Sequence, residues 1–391
     1  MPPRRPGPEG AVKTVRDLPV EGRRVLVRAD LNVPLDGVRI TDDTRIRASL
    51  PTIRYLRDHG AEVIVCSHLG RPKGEVRPEL SLRPVADRLA ELLGEPVAFD
   101  GESGPVRLLE NLRFDPREEK NDPALAAELA SLADVFVSDA FGTVHRAHAS
   151  TVGVAHLLPS AAGLLLASEL EAFVRILESP EHPFVVVIGG AKVADKIGVI
   201  DRFTGLADAV LIGGAMAFTF LAARGVAVGA SKHEDADGQE VARRAMTDAG
   251  EHGCELVLPS DVVIAERVEA DAPTRVVAAD AIPGGWMGLD IGPETAAAYA
   301  RRLEAARTIF WNGPMGVFEL AAFAAGTLAV AHAAAESDAV SVVGGGDSVA
   351  AVNQAGVADR ITHVSTGGGA ALELVEGRTL PGVEALEEAA A

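Results

Sequence analysis

Cysteine is nearly missing from this chain: only Cys66 and Cys254 occur among 391 residues, each inside or beside an apolar run. That scarcity excludes a disulfide framework and a cysteine-ligated metal, and fits two reduced thiols in a core. Positive charge is also in short supply. Against 37 lysines and arginines stand 56 aspartates and glutamates, for a formal net charge of −19. A field of that sign repels nucleic acid and anionic membrane, so neither is expected as a partner, and any anionic ligand requires a local basic cluster. Residues 320–335 are uncharged but mostly alanine, short of the roughly 18 to 20 strongly apolar residues of a membrane span. The proline-rich start, with Arg4 and Arg5 but no apolar segment, does not read as a secretory signal. Residues 1–12 are expected to be a disordered extension, residues 387–391 a frayed tail, and the protein soluble and cytoplasmic. Two nucleotide-binding signatures are missing as well. No Gly-Lys dipeptide occurs, which excludes a Walker A loop, and the glycine spacing after the first strand misses the dinucleotide fingerprint.

The chain does contain strand-like apolar runs that alternate with helix-like stretches such as 83–93, 123–133, 239–249 and 293–306, in both halves. That alternation is the pattern of βαβ units and a parallel sheet. The length exceeds the roughly 250 to 300 residues at which one core stops growing, so two domains are expected. Residues 160–178 interrupt the rhythm, with Leu166, Leu170, Phe173, Val174 and Leu177 at helical spacing and Ser179-Pro180 as a stop. This segment is the expected helix between domains.

Parallel sheets hold ligands where their strands end, and the loops there differ between the halves. In the first half, Val25-Leu26-Val27 leads into Arg28-Ala29-Asp30-Leu31-Asn32, and Val63-Ile64-Val65-Cys66 into Ser67-His68-Leu69-Gly70-Arg71. Leu108-Leu109 leads into Glu110-Asn111-Leu112-Arg113, and Val135-Phe136-Val137 into a loop that reaches His145-Arg146. Arg45, His68, Arg71, Arg113 and Arg146 suit a small molecule with two anionic ends, because guanidinium forks match phosphate and carboxylate oxygens two bonds at a time. Asp30 and Asn32 can meet its hydroxyls. Pairing of each arginine with a nearby carboxylate is the alternative.

In the second half the runs end in Gly189-Gly190-Ala191-Lys192, Gly213-Gly214, Asn312-Gly313-Pro314 and Gly344-Gly345-Gly346-Asp347. Lysine occurs only at 13, 73, 120, 192, 196 and 232, so Lys192 and Lys196 in one glycine-led turn stand out. A helix is expected to open there, with one lysine following a transferring phosphoryl group and the other reaching a second phosphate. A tight turn with solvated lysines is the alternative. Gly344 to Ser348 offers close backbone approach plus a hard carboxylate, Asp347, suited to Mg²⁺ on a nucleotide. Glu319 can accept from ribose hydroxyls, and Gly367-Gly368-Gly369 opens a helix start that favours negative charge.

Taken in order, Arg28 to Pro34, Ser67 to Pro72, Leu109 to Phe114, Asp139 to His148, Gly189 to Ile197, Gly213 to Phe218, Trp286 to Asp290, Trp311 to Glu319 and Gly344 to Ser348 resemble the phosphoglycerate kinase family. The resemblance covers residues 13–386. It implies an α/β fold of two Rossmann-like parallel-sheet domains facing a central cleft and joined by a helix. Residues 13–160 would bind phosphoglycerate, with 378–388 packing back on them; 161–179 would be the interdomain helix and 180–377 the nucleotide domain. The implied reaction is phosphoryl transfer between 1,3-bisphosphoglycerate and MgADP, with hinge closure when both ligands bind. By motif, Asp30, Leu31, Asn32, Arg45, His68, Leu69, Gly70, Arg71, Arg113 and Arg146 would hold 3-phosphoglycerate or 1,3-bisphosphoglycerate. Lys196, Gly288, Glu319, Gly345, Gly346, Asp347 and Ser348 would hold ADP or ATP, with Asp347 on the Mg²⁺. Lys192, Arg45 and the amides of Gly368 and Gly369 would sit on the phosphoryl group in flight. The family also favours a monomer. Leu31, Ser348 and Ala371 stand where Phe, Thr and Ser are more frequent in it, and none of these removes a role. An oxidoreductase on the same kind of sheet and a nucleotide-binding scaffold without chemistry are the rival readings.

Overall fold

In the first half, apolar side chains on both sides of each central strand force a sheet that is covered on both faces. The computed structural model describes residues 12–390, so the expected extension over 1–12 lies outside the described residues except for its last position. Contacts divide the chain into two units, one up to Glu171 that takes in the chain again from Arg378, the other Ala172–Gly377.

Among the described residues, the first unit has eight strands: β1 Arg24–Ala29, β2 Leu35–Asp36, β3 Arg39–Ile40, β4 Glu62–Cys66, β5 Ala98–Phe99, β6 Val106–Leu108, β7 Val135–Asp139 and β8 Ser160–Ala162. β2 and β3 form a small hairpin, and the others make a parallel sheet in the order β5-β6-β4-β1-β7-β8. Val25, Val27, Val63, Val65, Val135 and Val137 fill one face, while Leu26, Ile64 and Phe136 are buried on the other. Three helices accompany it: α1 Thr44–Asp58, α2 Arg83–Leu93 and α3 Pro123–Ser131. α2 has the bounds that its sequence suggests, because Pro84 lies in its first turn and Gly94 closes it in the left-handed region at φ 76°. Chain order runs from β1 toward β4 on one side and toward β7 on the other, so the loops leaving β1 and β7 part at a switch point.

The expected helix over 160–178 is shorter than its sequence suggests. Ser160–Ala162 is strand β8, paired with β7, and helix α4 covers Leu164–Glu178. Alanine is a strong helix former, but helix propensity amounts to less than about 1 kcal/mol per residue, and here pairing prevails: Ala162 N–H donates to Lys13 O at 2.8 Å, on the far side from β7. At the turn, Asp139 Oδ1 accepts from the Leu165 and Leu166 amides and caps α4. Gly163 fits because a Cβ there would lie 2.1 Å from that same oxygen.

In the second unit, β9 Phe184–Ile188, β10 Ala209–Ile212, β11 Glu255–Val257, β15 Thr308–Asn312, β16 Val340–Val343 and β17 His363–Val364 make a parallel sheet, ordered β11-β10-β9-β15-β16-β17. Its switch point lies between β9 and β15. Phe184, Phe203, Phe310 and Phe173 stack on one face, with Phe203 and Phe310 centroids 4.7 Å apart. The sequence suggested only parallel units, but β12 Asp261–Ala265, β13 Arg275–Ala278 and β14 Met287–Ile291 form an added antiparallel sheet, β13-β12-β14. Helices α5 Ile197–Thr204, α6 Met216–Ala223, α7 Ala236–Glu251, α8 Pro293–Glu304, α9 Ala325–Glu336, α10 Gly346–Gln354 and α11 Gly369–Val375 complete this unit.

The last helix, α12 Pro381–Ala390, returns to the first unit, and Gly382 N–H donates to Val144 O at 2.8 Å. The expected frayed tail is therefore helical through 390. Its Ala385 and Leu386 are buried, so packing holds the turn that composition alone left loose.

Candidate active site

In the first unit the loops after β1, β4 and β6 are tied together before any ligand is considered. Leu31 N–H donates to Ser67 Oγ at 2.9 Å and Gly70 N–H to Asn32 Oδ1 at 2.9 Å. Asn111 Oδ1 accepts from Leu69 and Arg113 amides while its Nδ2 donates to Leu69 O. Arg113 is buried, donates from Nη1 to Gly70 O at 2.8 Å and lies 3.3 Å from Glu119. Arg45, in the first turn of α1, pairs with Asp30 at 2.7 Å. Arg146 is half-buried and donates from Nε to His145 Nε2 at 3.1 Å. Arg71 is exposed, and no hydrogen bond or ion pair joins it to these groups among the described residues.

These cations crowd one another. His68 is held well below the usual histidine range, first by burial and then by Arg28, Arg113, Arg45 and His148. His148 falls to about 4 from burial, with Arg113, Arg28, Arg146 and His145 adding to it. Burial also lowers the Arg113 guanidinium, and Arg28 and Arg146 act in the same direction. Such a gathering in so acidic a chain is suited to an anion with several oxygens. Arg28 and His148 belong to this cluster and were missed as site residues. The available signal for Arg28 was an arginine ending a run of apolar strand residues, a position where a charge is buried only when it is paired.

In the second unit a cleft of about 350 Å³ opens beside the ends of β9 and β15. Phe218, Val262, Met287, Leu289, Met315 and Val317 line it with apolar surface, while Glu319 and Asp347 supply carboxylates. Gly288 lies in its wall, its N–H donating to Ser231 Oγ at 2.9 Å, and a side chain there would run into the Phe218 ring. An apolar slot with few polar groups suits a flat base. Three of the residues singled out from sequence, Gly288, Glu319 and Asp347, thus share one cleft.

The others stand behind it as ties. Ser348 Oγ accepts from Gly313 N–H, and Asn312 Nδ2 donates to Gly344 O at 2.7 Å, which fastens the glycine turn to the loop after β15. Gly345 adopts φ 92°, a conformation that favours glycine, and Gly346 opens α10 with Asp347 in its first turn. Lys196 Nζ donates to Gly189 O at 2.6 Å and Asn312 O at 3.1 Å, bridging the ends of β9 and β15. Burial lowers its ammonium to about 8, against the pull of Asp347 and Asp195. The helix expected to open at these lysines begins only at Ile197, so Lys192 lies exposed in a non-helical loop. Its neighbour Val193 explains the delay, since that amide donates to Glu234 Oε2 at 2.6 Å instead of joining a helical turn. Gly368, at φ 50°, precedes Gly369 and α11.

One unit with converging guanidinium groups and another with an apolar cleft, a glycine turn and a carboxylate define an α/β phosphotransferase that handles a small anion and a nucleotide. The family model for phosphoglycerate kinase matches residues 15–378. A phosphoglycerate kinase of Rubrobacter xylanophilus is 60% identical over 389 residues, covering 96% of this chain and 98% of that one. One from Moorella thermoacetica is 58% identical over 96% and 99%. Among solved structures, the phosphoglycerate kinase of Coxiella burnetii matches with a TM-score of 0.91 at 42% identity, over 97% of this chain and 100% of that one. The chain belongs to the phosphoglycerate kinase family. Its reaction is the reversible transfer of the acyl phosphate of 1,3-bisphosphoglycerate to ADP, giving 3-phosphoglycerate and ATP, a step of glycolysis and gluconeogenesis.

Proposed function

We propose that the first unit holds the phosphoglycerate and the second the nucleotide, with residues 161–179 joining them. Arg45, His68, Arg71, Arg113 and Arg146 bind the anionic ends of 3-phosphoglycerate, and Asp30 and Asn32 meet its hydroxyl. Gly288, Glu319 and the turn from Gly345 to Ser348 hold ADP or ATP. Lys196 contributes one remaining N–H beyond the two carbonyls that it already binds. The observation that carries this reading is the gathering of Arg28, Arg45 and Arg113 around His68, with Arg146 in electrostatic reach of Arg113, in a chain of net charge −19.

A carboxylate and a nucleotide phosphate are competent nucleophiles, so the protein needs no general base. Its task is to align them and to offset the negative charge that builds on the transferring phosphoryl oxygens. Lys192, Arg45 and the Gly368 and Gly369 amides supply that positive charge. Asp347 is the residue that would hold Mg²⁺. Its exposed carboxylate at the start of α10 is a hard oxygen donor of the kind that Mg²⁺ takes. When bound, the ion neutralises the nucleotide phosphates. The family's place in glycolysis supports a cytoplasmic enzyme, and the family resemblance supports a monomer. Among the described residues no helix is long and apolar enough to cross a membrane.

A coupled assay of ATP consumption with 3-phosphoglycerate tests the roles. Lys192→Ala and Arg45→Ala should lose turnover by at least about a hundredfold, with Lys192→Ala unfolding at the wild-type urea midpoint and Arg45→Ala somewhat earlier because Asp30 loses its partner. Near-wild-type kcat in either variant removes that residue from the chemical step.

A further inference from the structure

Glu118 opens a short 3₁₀ turn, Glu118–Lys120, and is fully buried, as is Arg28 in β1. Two buried charges are tolerated only when their hydrogen bonds are filled. Here the link between them is Ser150, 122 residues along the chain from Arg28. Ser150 donates its hydroxyl proton to Glu118 Oε1 at 2.5 Å and its amide to Oε2 at 3.1 Å. A hydroxyl has one proton, so the side of Oγ that faces Arg28 is an acceptor, and it takes the Nε–H of that guanidinium at 2.9 Å. Arg28 Nη1 donates to Ala29 O, and Nη2 lies 3.2 Å from His68 Nδ1. His148 Nδ1 stands 3.7 Å from the same Glu118 oxygen.

This chain of hydrogen bonds has a fixed direction. Arginine offers donors only and stays protonated, so the contact with His68 requires a lone pair on Nδ1. A neutral ring then keeps its proton on Nε2. Burial, and then the surrounding arginines, oppose a second proton.

We propose that Glu118 and Ser150 are positioning residues of the anion site: through Arg28 they hold His68 as the Nε2–H tautomer, a neutral donor presented to the bound phosphoglycerate. The proposal rests on the reading of His68 as a substrate-binding residue. Its chemical sense lies in the crowding of cations around that ring. A neutral N–H donates to an anion without adding a further positive charge beside Arg28, Arg45 and Arg113. Glu118 meanwhile supplies a counter-charge to Arg28 through Ser150, and the imidazole is held in one orientation.

The test uses the full-length enzyme labelled with ¹⁵N-histidine. Long-range ¹H–¹⁵N spectra at pH 7 report the His68 tautomer, with His68→Ala assigning the signals, and steady-state kinetics give KM for each substrate. Wild type is expected to show an unprotonated Nδ1 and a protonated Nε2. Glu118→Gln and Ser150→Ala should shift the ring to a tautomer mixture and raise KM for 3-phosphoglycerate about tenfold, with KM for ATP and kcat within about twofold. An Nδ1–H tautomer or an imidazolium in the wild type overturns the proposal without any variant. So does a tautomer and KM unchanged in Ser150→Ala, which carries the test alone if Glu118→Gln does not fold. An unchanged KM in His68→Ala removes the substrate role of His68 and the proposal with it. A ring that ignores Glu118 and Ser150 overturns the proposal while the site reading stands.

Discussion

Replacing Asp139 with asparagine should make the first unit more stable at pH 8 and should flatten its response to pH. The carboxyl is fully buried at the end of β7, where burial pushes it from an ordinary 3.8 up to about 7. A folded value above the unfolded one means that, between pH 4 and 7, the folded state keeps a proton that the unfolded chain has released. Stability is therefore greatest below about pH 4 with respect to this group, falls as pH rises, and levels off above pH 7. At ~1.4 kcal/mol per unit, a shift of about three units amounts to ~4 kcal/mol across that window. Asparagine keeps the Oδ1 acceptor for the Leu165 and Leu166 amides and carries no charge. Its new N–H₂ lies beside Thr52, and incomplete pairing there would take back ~1 to 3 kcal/mol. The net gain expected at pH 8 is thus about 1 to 3 kcal/mol. The more robust quantity is the slope: from pH 5 to 8 the wild type should lose about 3 kcal/mol relative to Asp139→Asn. Tryptophan fluorescence is the wrong probe, because Trp286 and Trp311 both belong to the other unit. Hydrogen exchange over residues 160–170, corrected for the intrinsic pH dependence of exchange, reads the opening of α4 directly. Stability curves that run parallel for the two proteins from pH 5 to 8 would refute the linkage.

Three further outcomes are expected. Gly288→Ala would place a Cβ 2.1 Å from Phe218 Cζ, so it should raise KM for ATP about tenfold or more while KM for 3-phosphoglycerate stays put, as steady-state kinetics can show. Gly382→Ala would bring a Cβ to 3.0 Å from Val144 Cα, two residues before Arg146. It should cost about 1 kcal/mol in urea unfolding and raise KM for 3-phosphoglycerate a few-fold; an unchanged KM would uncouple α12 from that loop. The proposed hinge closure predicts that small-angle scattering shows compaction with 3-phosphoglycerate and a non-hydrolysable MgATP analogue together, beyond that with either alone.

Much of the fold was legible because burial on both faces leaves an unbroken apolar run, as at Val25 to Val27 and Val185 to Ile188, and because Pro84 and Gly94 mark helix ends chemically. The make-up of the two candidate sites was legible too, since the residues at the end of each strand are its neighbours along the chain: arginine or histidine at the ends of β1, β4, β6 and β7, glycine with lysine or carboxylate after β9 and β16. Where the reading failed, a contact distant in sequence decided the matter. Ser160–Ala162 became a strand only because β7 and Lys13 were there to pair with it, and the strand pairing of 261–265 with 275–278 and 287–291 has no signature in any one segment. That the Lys196 ammonium is also held by the carbonyls of Gly189 and Asn312, the latter 116 residues away, could not be read from its segment either. Arg28 read as the first residue of the loop after an apolar run, whereas it lies within β1, and the direction of its side chain depends on Ser150 and Glu118. Residue type and spacing establish which chemistry is available. Which atom faces which is set only when the chain closes, because hydrogen bonds act over about 3 Å of space, whatever the separation along the sequence.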